Sequence, residues 1–209
     1  MIKLIIRKTY LYSIWRFLNK KRFEKLQIKE WTINGKQIPP PHIVKFYTIK
    51  EKQKINNAKI LIETGTYKGA MIKSCKKLFK NIYSIELDKN LYKEAVDKFQ
   101  KFPKIKILNG DSGLELKKLL LEIKSPCLFW LDGHYSGGIT AKGDIETPIV
   151  AELEAILTHN IKNHVILIND ARLFNGENDY PTINALTLYV KNKDKSKTIS
   201  VENDIIIIN

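Results

Sequence analysis

KILIETGTYKGAMIKSCKKLF, residues Lys59–Phe79, is the stretch that decides the fold: an apolar run, a turn carrying Gly65 and Gly69, then an amphipathic segment. The same alternation recurs along the chain. IYSIELD precedes YKEAVDKFQ, IKILNGD precedes GLELKKLLLEI, CLFWLDG precedes PIVAELEAIL, and HVILIND precedes a segment around INALTLYV. Near-continuous apolar strands alternating with helices predict a parallel sheet covered on both faces. The end of the chain breaks this rhythm. TISVE and IIIIN flank the pair Asn203-Asp204, the signature of an antiparallel hairpin. Ile205–Ile208 is apolar at every position, so this last strand is expected inside the sheet with both faces buried.

These readings give an α/β fold, Rossmann-like and doubly wound. Its mostly parallel seven-stranded sheet ends in a C-terminal antiparallel hairpin over residues 58–209, and a helical segment over residues 1–57 precedes it. A chain of 209 residues with 44% hydrophobic and 10% aromatic side chains suits one domain with a short attachment. Two cysteines exclude a disulfide framework and a four-thiolate zinc site. No uncharged apolar run approaches the ~20 residues of a membrane span. Lys3, Arg7 and Lys8 interrupt the apolar start, so no secretory signal is expected. A cytoplasmic protein is the expectation, with peripheral membrane contact left open.

Formal charge is +14, and it is unevenly placed. Residues 1–60 hold 15 Lys/Arg and 3 Asp/Glu, a balance of +12; the remainder, 21 against 19, is nearly neutral. A basic segment of this kind suits an acidic partner, so residues 1–30 are a candidate contact for an anionic surface or RNA. A general preference for solvated lysine explains it equally well. Ile2, Ile5, Ile6, Tyr10, Trp15 and Leu18 suit an amphipathic helix reaching to about Leu26, which can pack on the body, pair two subunits into a homodimer, or lie on a membrane. Asn34-Gly35 and Pro39-Pro40-Pro41 then interrupt regular structure before a short helix over 42–57.

In open α/β sheets, ligands bind at the carboxyl ends of the strands. The first strand ends at Glu63, followed by Thr64-Gly65-Thr66-Tyr67-Lys68-Gly69. A dinucleotide fingerprint wants glycine where Tyr67 stands, and a phosphate-binding loop wants Lys-Ser/Thr after Gly69, where Ala70 stands. The second strand ends at Glu86, suited to a ribose diol, and the third runs into Asp111 and Ser112. For Glu86 taken alone the alternative is a solvated strand-end acid. Taken together they describe a pocket for a nucleoside without a phosphate chain, with an acidic rim favouring a cation.

Strand four ends Leu131-Asp132-Gly133-His134-Tyr135, and strand five ends Asn169-Asp170-Ala171-Arg172. Asp132, Asn169 and Asp170 are candidate ligands of a hard cation such as Mg²⁺, which would acidify a substrate hydroxyl. His134 is the candidate base, assisted by Asp132, with Tyr135 and Lys142 as alternates. The bland alternative is that these acids cap helices or tie down loops. The glycines Gly137, Gly138 and Gly143 give the following loop freedom to close over substrate. Arg172 can contact an anionic group or be structural.

The Glu63-x-Gly65-x-x-x-Gly69 turn, Glu86, Asp111 and the closing hairpin resemble class I S-adenosylmethionine-dependent methyltransferases over residues 58–209. The resemblance implies a donor site built from Glu63, Gly65, Thr66, Gly69, Glu86, Asp111 and Ser112, with Glu86 on the ribose and Asp111 or its neighbour near the adenine. The strand-four and strand-five acids are similar to those of metal-dependent O-methyltransferases of the macrocin and catechol types. That implies methyl transfer to a hydroxyl of a small molecule or carbohydrate. His134 resembles the histidine base of some macrocin-type members, whereas Tyr135 stands where the catechol type has lysine. Two readings remain beside it: an RNA methyltransferase anchored by the basic segment, and a non-catalytic nucleoside-binding protein. Pro126-Cys127 resembles the nucleophile pair of cytosine methyltransferases but precedes strand four, so Cys127, like Cys75, is expected in the core. His42, His159 and His164 show no ligand spacing.

Overall fold

A computed structural model describes residues 19–133 and 147–209. The strands are β1 Ile60–Thr64, β2 Asn81–Glu86, β3 Ile105–Asn109, β4 Cys127–Leu131, β5 Val165–Asn169, β6 Ile199–Glu202 and β7 Ile205–Ile208. The helices are α1 Lys20–Ile33, α2 His42–Asn56, α3 Ala70–Cys75, α4 Lys89–Phe99, α5 Ser112–Glu122, α6 Ile149–Leu157 and α7 Ile183–Lys193, with a 3₁₀ turn over Ala171–Leu173. Helix α1 runs on to Ile33, past the expected end near Leu26. The expected helix over residues 2–18 lies outside the described residues.

The sheet order is β3-β2-β1-β4-β5-β7-β6, all parallel except β7, which pairs antiparallel with both β5 and β6. Apolar strands are needed because the sheet has a core on each side. Ile62, Phe129, Leu131, Ile206 and Ile208 face one core, with Leu116 of α5, Leu153 of α6 and Leu186 of α7. Leu61, Leu128, Trp130, Ile205 and Ile207 face the other, with Ile49 of α2, Met71 of α3 and Phe99 of α4. The central strands β1, β4, β5 and β7 therefore alternate between cores rather than between core and water, whereas the edge strands β3 and β6 are partly or largely exposed. The hairpin closes through Asn203 and Asp204, both left-handed (φ 52° and 62°), the geometry a two-residue turn requires.

Three helices, α4, α5 and α7, start where a short acid or hydroxyl takes free amides. Asp88 accepts from the amides of Asn90 and Leu91, Asp111 from Leu114, and Thr182 from Ala185. The N-terminal segment is tied into this body. Ile49 is fully buried in the second core, and the His42 ring meets the Ser74 hydroxyl at 3.1 Å. Strand order reverses between β1 and β4, which opens a crevice at their carboxyl ends.

Candidate functional site

The crevice is built around Gly65. Thr64 is in register with Leu131, so Gly65 and Asp132 leave the sheet side by side. Gly65 has φ +78°, and a Cβ there would overlap the Asp132 carbonyl oxygen and lie 2.7 Å from the carbonyl carbon. Only glycine lets the two chains approach this closely. The Asp132 amide donates to the Thr64 carbonyl at 3.1 Å, which fixes the approach. Gly69 (φ +64°) faces the Phe99 ring, where a Cβ would come within 2.6 Å.

Glu86 is buried at the end of β2 and holds the glycine turn. Its carboxylate accepts from the Tyr67 amide at 2.7 Å and the Asp88 amide at 3.0 Å. A carboxylate carries about four acceptor positions, so capacity remains for a diol. Glu63, only 2% exposed, accepts from the Ser84 hydroxyl at 2.5 Å, and Ser84 meets the Thr66 hydroxyl at 2.6 Å. Burial pushes Glu63 up to about 8, with the negative charges of Asp132 and Glu86 adding to it and the Ser84 hydrogen bond opposing it. Three acidic side chains thus share one end of the crevice, and its field favours a cation.

The other expected donor-site residues are drawn into the fold. Asp111 caps α5, and the Ser112 hydroxyl donates to Glu152 at 2.6 Å. Glu152 is 1% exposed on α6 and does not stand out in the sequence. Its one available signal is an acid on the apolar face of IVAELEAIL.

At the strand-four and strand-five ends, the Asn169 amide donates to Asp132 Oδ1 at 2.7 Å. Asn169 Oδ1 is buried with no hydrogen-bond partner among the described residues. Asp170, left-handed at φ +58°, is committed elsewhere: its Oδ1 receives Lys45 Nζ at 3.3 Å and Arg172 Nη1 at 2.8 Å. Arg172 also pairs with Asp204, so it is a structural arginine here. Lys45, on α2, carries no sequence signal for this role. The Mg²⁺ expectation therefore meets a poor fit: Asp132 and Asn169 converge, but Asp170 already faces two cations. Among the described residues no group of three His, Cys, Asp or Glu is arranged to hold a metal. His134, Tyr135 and Lys142, the expected base and its alternates, lie outside the described residues.

Cys75 and Cys127 are buried, as expected for core thiols. His164 and His159 stack, with ring nitrogens 2.9 Å apart, at the opposite end of β5 from the crevice. Burial, helped by neighbouring His159 and lysines, lowers His164 to about 4.

No protein-family model and no curated protein matches this sequence. Solved structures do match in shape. A provisionally assigned caffeoyl-CoA O-methyltransferase from Staphylococcus aureus is 13% identical, with 97% of this chain and 98% of that one covered at a TM-score of 0.54. A methyltransferase from Podospora anserina holding S-adenosylhomocysteine is 14% identical (88% and 86% covered, TM-score 0.56). An O-methyltransferase from Bacillus cereus, also with S-adenosylhomocysteine, is 11% identical (88% of each chain, TM-score 0.55). The fold is that of class I methyltransferases. The mostly parallel seven-stranded sheet with its C-terminal antiparallel hairpin is as expected from the sequence. No helix among the described residues is long and apolar enough to cross a membrane.

Proposed function

We propose that this chain is an S-adenosylmethionine-dependent O-methyltransferase acting on a hydroxyl of a small molecule or carbohydrate. The observation that carries the reading is the crevice where Gly65 lies against Asp132 while buried Glu86 clamps the same turn from the next strand. Gly65 lets its turn lie directly against Asp132, and the methionine part of the donor would sit along that turn. Glu86 would accept the ribose hydroxyls, and Asp111 or its neighbour would sit near the adenine. Glu86 and Asp132 supply the negative field that a sulfonium requires, and Glu63 adds to it as it ionises near pH 8. The donor supplies an electrophilic methyl group. The acceptor oxygen gives up its proton to a base as the new carbon–oxygen bond forms, and His134 is the proposed base. Positioning and charge complementarity do the rest.

Calorimetry tests this directly. S-adenosylmethionine and S-adenosylhomocysteine should each bind the folded chain with one-to-one stoichiometry, and Glu86→Ala should weaken both. A folded sample giving no heat with either compound ends the proposal.

One observation favours a second reading, an RNA acceptor. Lys21, Arg22, Lys25 and Lys29 of α1 line one surface groove with Leu26. Binding to RNA should then fall steeply with salt and be lost when residues 1–30 are removed. Absence of RNA binding at low salt excludes it.

A further inference from the structure

The side chains around Asp170 come from four separate parts of the fold. Lys45 reaches in from α2, Asp170 closes β5, Arg172 lies in the 3₁₀ turn, and Asp204 precedes β7. Lys45 and Arg172 meet Asp170 Oδ1 at 3.3 and 2.8 Å, and Arg172 bridges onward to Asp204, whose carboxylate also accepts the Arg172 amide at 2.8 Å. Two cations face two carboxylates, so the charges of these four side chains sum to zero. The side chains of Asp170 and Asp204 are 10% and 2% exposed, so the pairs are drawn out of bulk solvent, where charge interactions are strong.

A divalent ion beside Asp170 would meet this arrangement as a third cation. It would have Asp132 as its remaining carboxylate, because the other member of the expected trio is the neutral amide Asn169. Hard divalent ions are held by several anionic oxygens, and adding one here would set it against two protein cations and turn the charge of these four side chains with Asp132 from −1 to +1.

We infer that Lys45 is a resident protein cation at the acceptor end of the crevice, holding Asp170 in the place that a divalent ion would otherwise take. Lys45 is a positioning residue in this arrangement: with Arg172 it fixes the Asp170 carboxylate and keeps metal off it. It also ties the N-terminal segment to the reaction rim, so the segment contributes charge to the site. The inference rests on the methyl-transfer reading for its location. It departs from the metal-dependent pattern that the strand-end acids resemble.

The test uses the full chain saturated with S-adenosylhomocysteine and reads free Mn²⁺ by electron paramagnetic resonance. Calorimetry of S-adenosylhomocysteine on the same samples reports separately on the methyl-transfer reading. The wild type and Lys45→Arg should leave the Mn²⁺ signal at its level in buffer. Lys45→Met should take up one equivalent at least about tenfold more tightly than the wild type, since a cation next to Asp170 has gone. Asp170→Asn introduced into Lys45→Met should abolish that uptake. Lys45→Gln repeats the measurement should Lys45→Met fold poorly. Two results would overturn the inference: Mn²⁺ bound by the wild type and lost in Asp170→Asn, or no gain in uptake by either Lys45 variant.

Discussion

Gly65 and Asp132 lie in backbone contact at the ends of β1 and β4, so near that a side chain on Gly65 would collide with the Asp132 carbonyl. Gly65→Ala adds that clash to a left-handed φ of +78°. It should cost on the order of 3 kcal/mol of stability, read from urea unfolding, and should remove S-adenosylhomocysteine binding in whatever folds. An alanine variant with unchanged stability would show that the two strands part easily.

Glu86 links two functions through one carboxylate. Glu86→Ala releases the Tyr67 and Asp88 amides, at a cost of about 1–3 kcal/mol, and removes the proposed ribose acceptor. Affinity for S-adenosylhomocysteine should fall at least about tenfold, and Glu86→Gln should lose less because it keeps one acceptor oxygen. Equal affinity in all three proteins would take Glu86 out of the donor site.

Glu63 makes stability and donor binding depend on pH in opposite senses. Its folded-state value, about 8, lies above its ordinary 4.5, so the folded chain holds the extra proton. Stability from this group is present below pH 4.5 and is lost as pH rises through about 8. A sulfonium favours the ionised carboxylate, so binding of S-adenosylmethionine should tighten from pH 7 to 9 relative to its uncharged-sulfur product. Glu63→Gln should flatten both trends; a pH-independent ratio of the two affinities would remove Glu63 from the sulfonium's field.

His164 acts on the acid side. It accepts the Cys127 amide on Nδ1 at 3.0 Å, which only the neutral ring can do, and its folded-state value is about 4 against an ordinary 6.5. The unfolded chain therefore takes up the proton first, and stability falls as pH drops from about 6.5 through about 4. The loss should be on the order of 2–3 kcal/mol in denaturant titrations at pH 7 and pH 4. His164→Asn should have a flatter acid limb, and an unchanged slope would rule out this ring as its source.

Local pattern makes much of this protein legible in its residues. A strand buried on both sides must be apolar at consecutive positions, so CLFWL and IIII can be assigned from side-chain type alone. Asn203-Asp204 tolerates left-handed backbone, so the hairpin is readable too. The acids at strand ends are visible because a parallel sheet delivers every such position to one rim.

Their partners are not visible in the same way. Sequence places Ser112 and Glu152 on separate helices and gives no reason for them to meet at 2.6 Å. Nor does it show that Glu63 turns inward to Ser84 or that Asp170 is claimed by a lysine 125 positions earlier. Periodicity and turn chemistry act over a few residues, and by themselves they determined the strands, the helices and the edge where the chemistry belongs. Which charges neutralise one another along that edge was decided only when α2 packed across the sheet, because an ion pair depends on distance in space and that distance is set by the packed core.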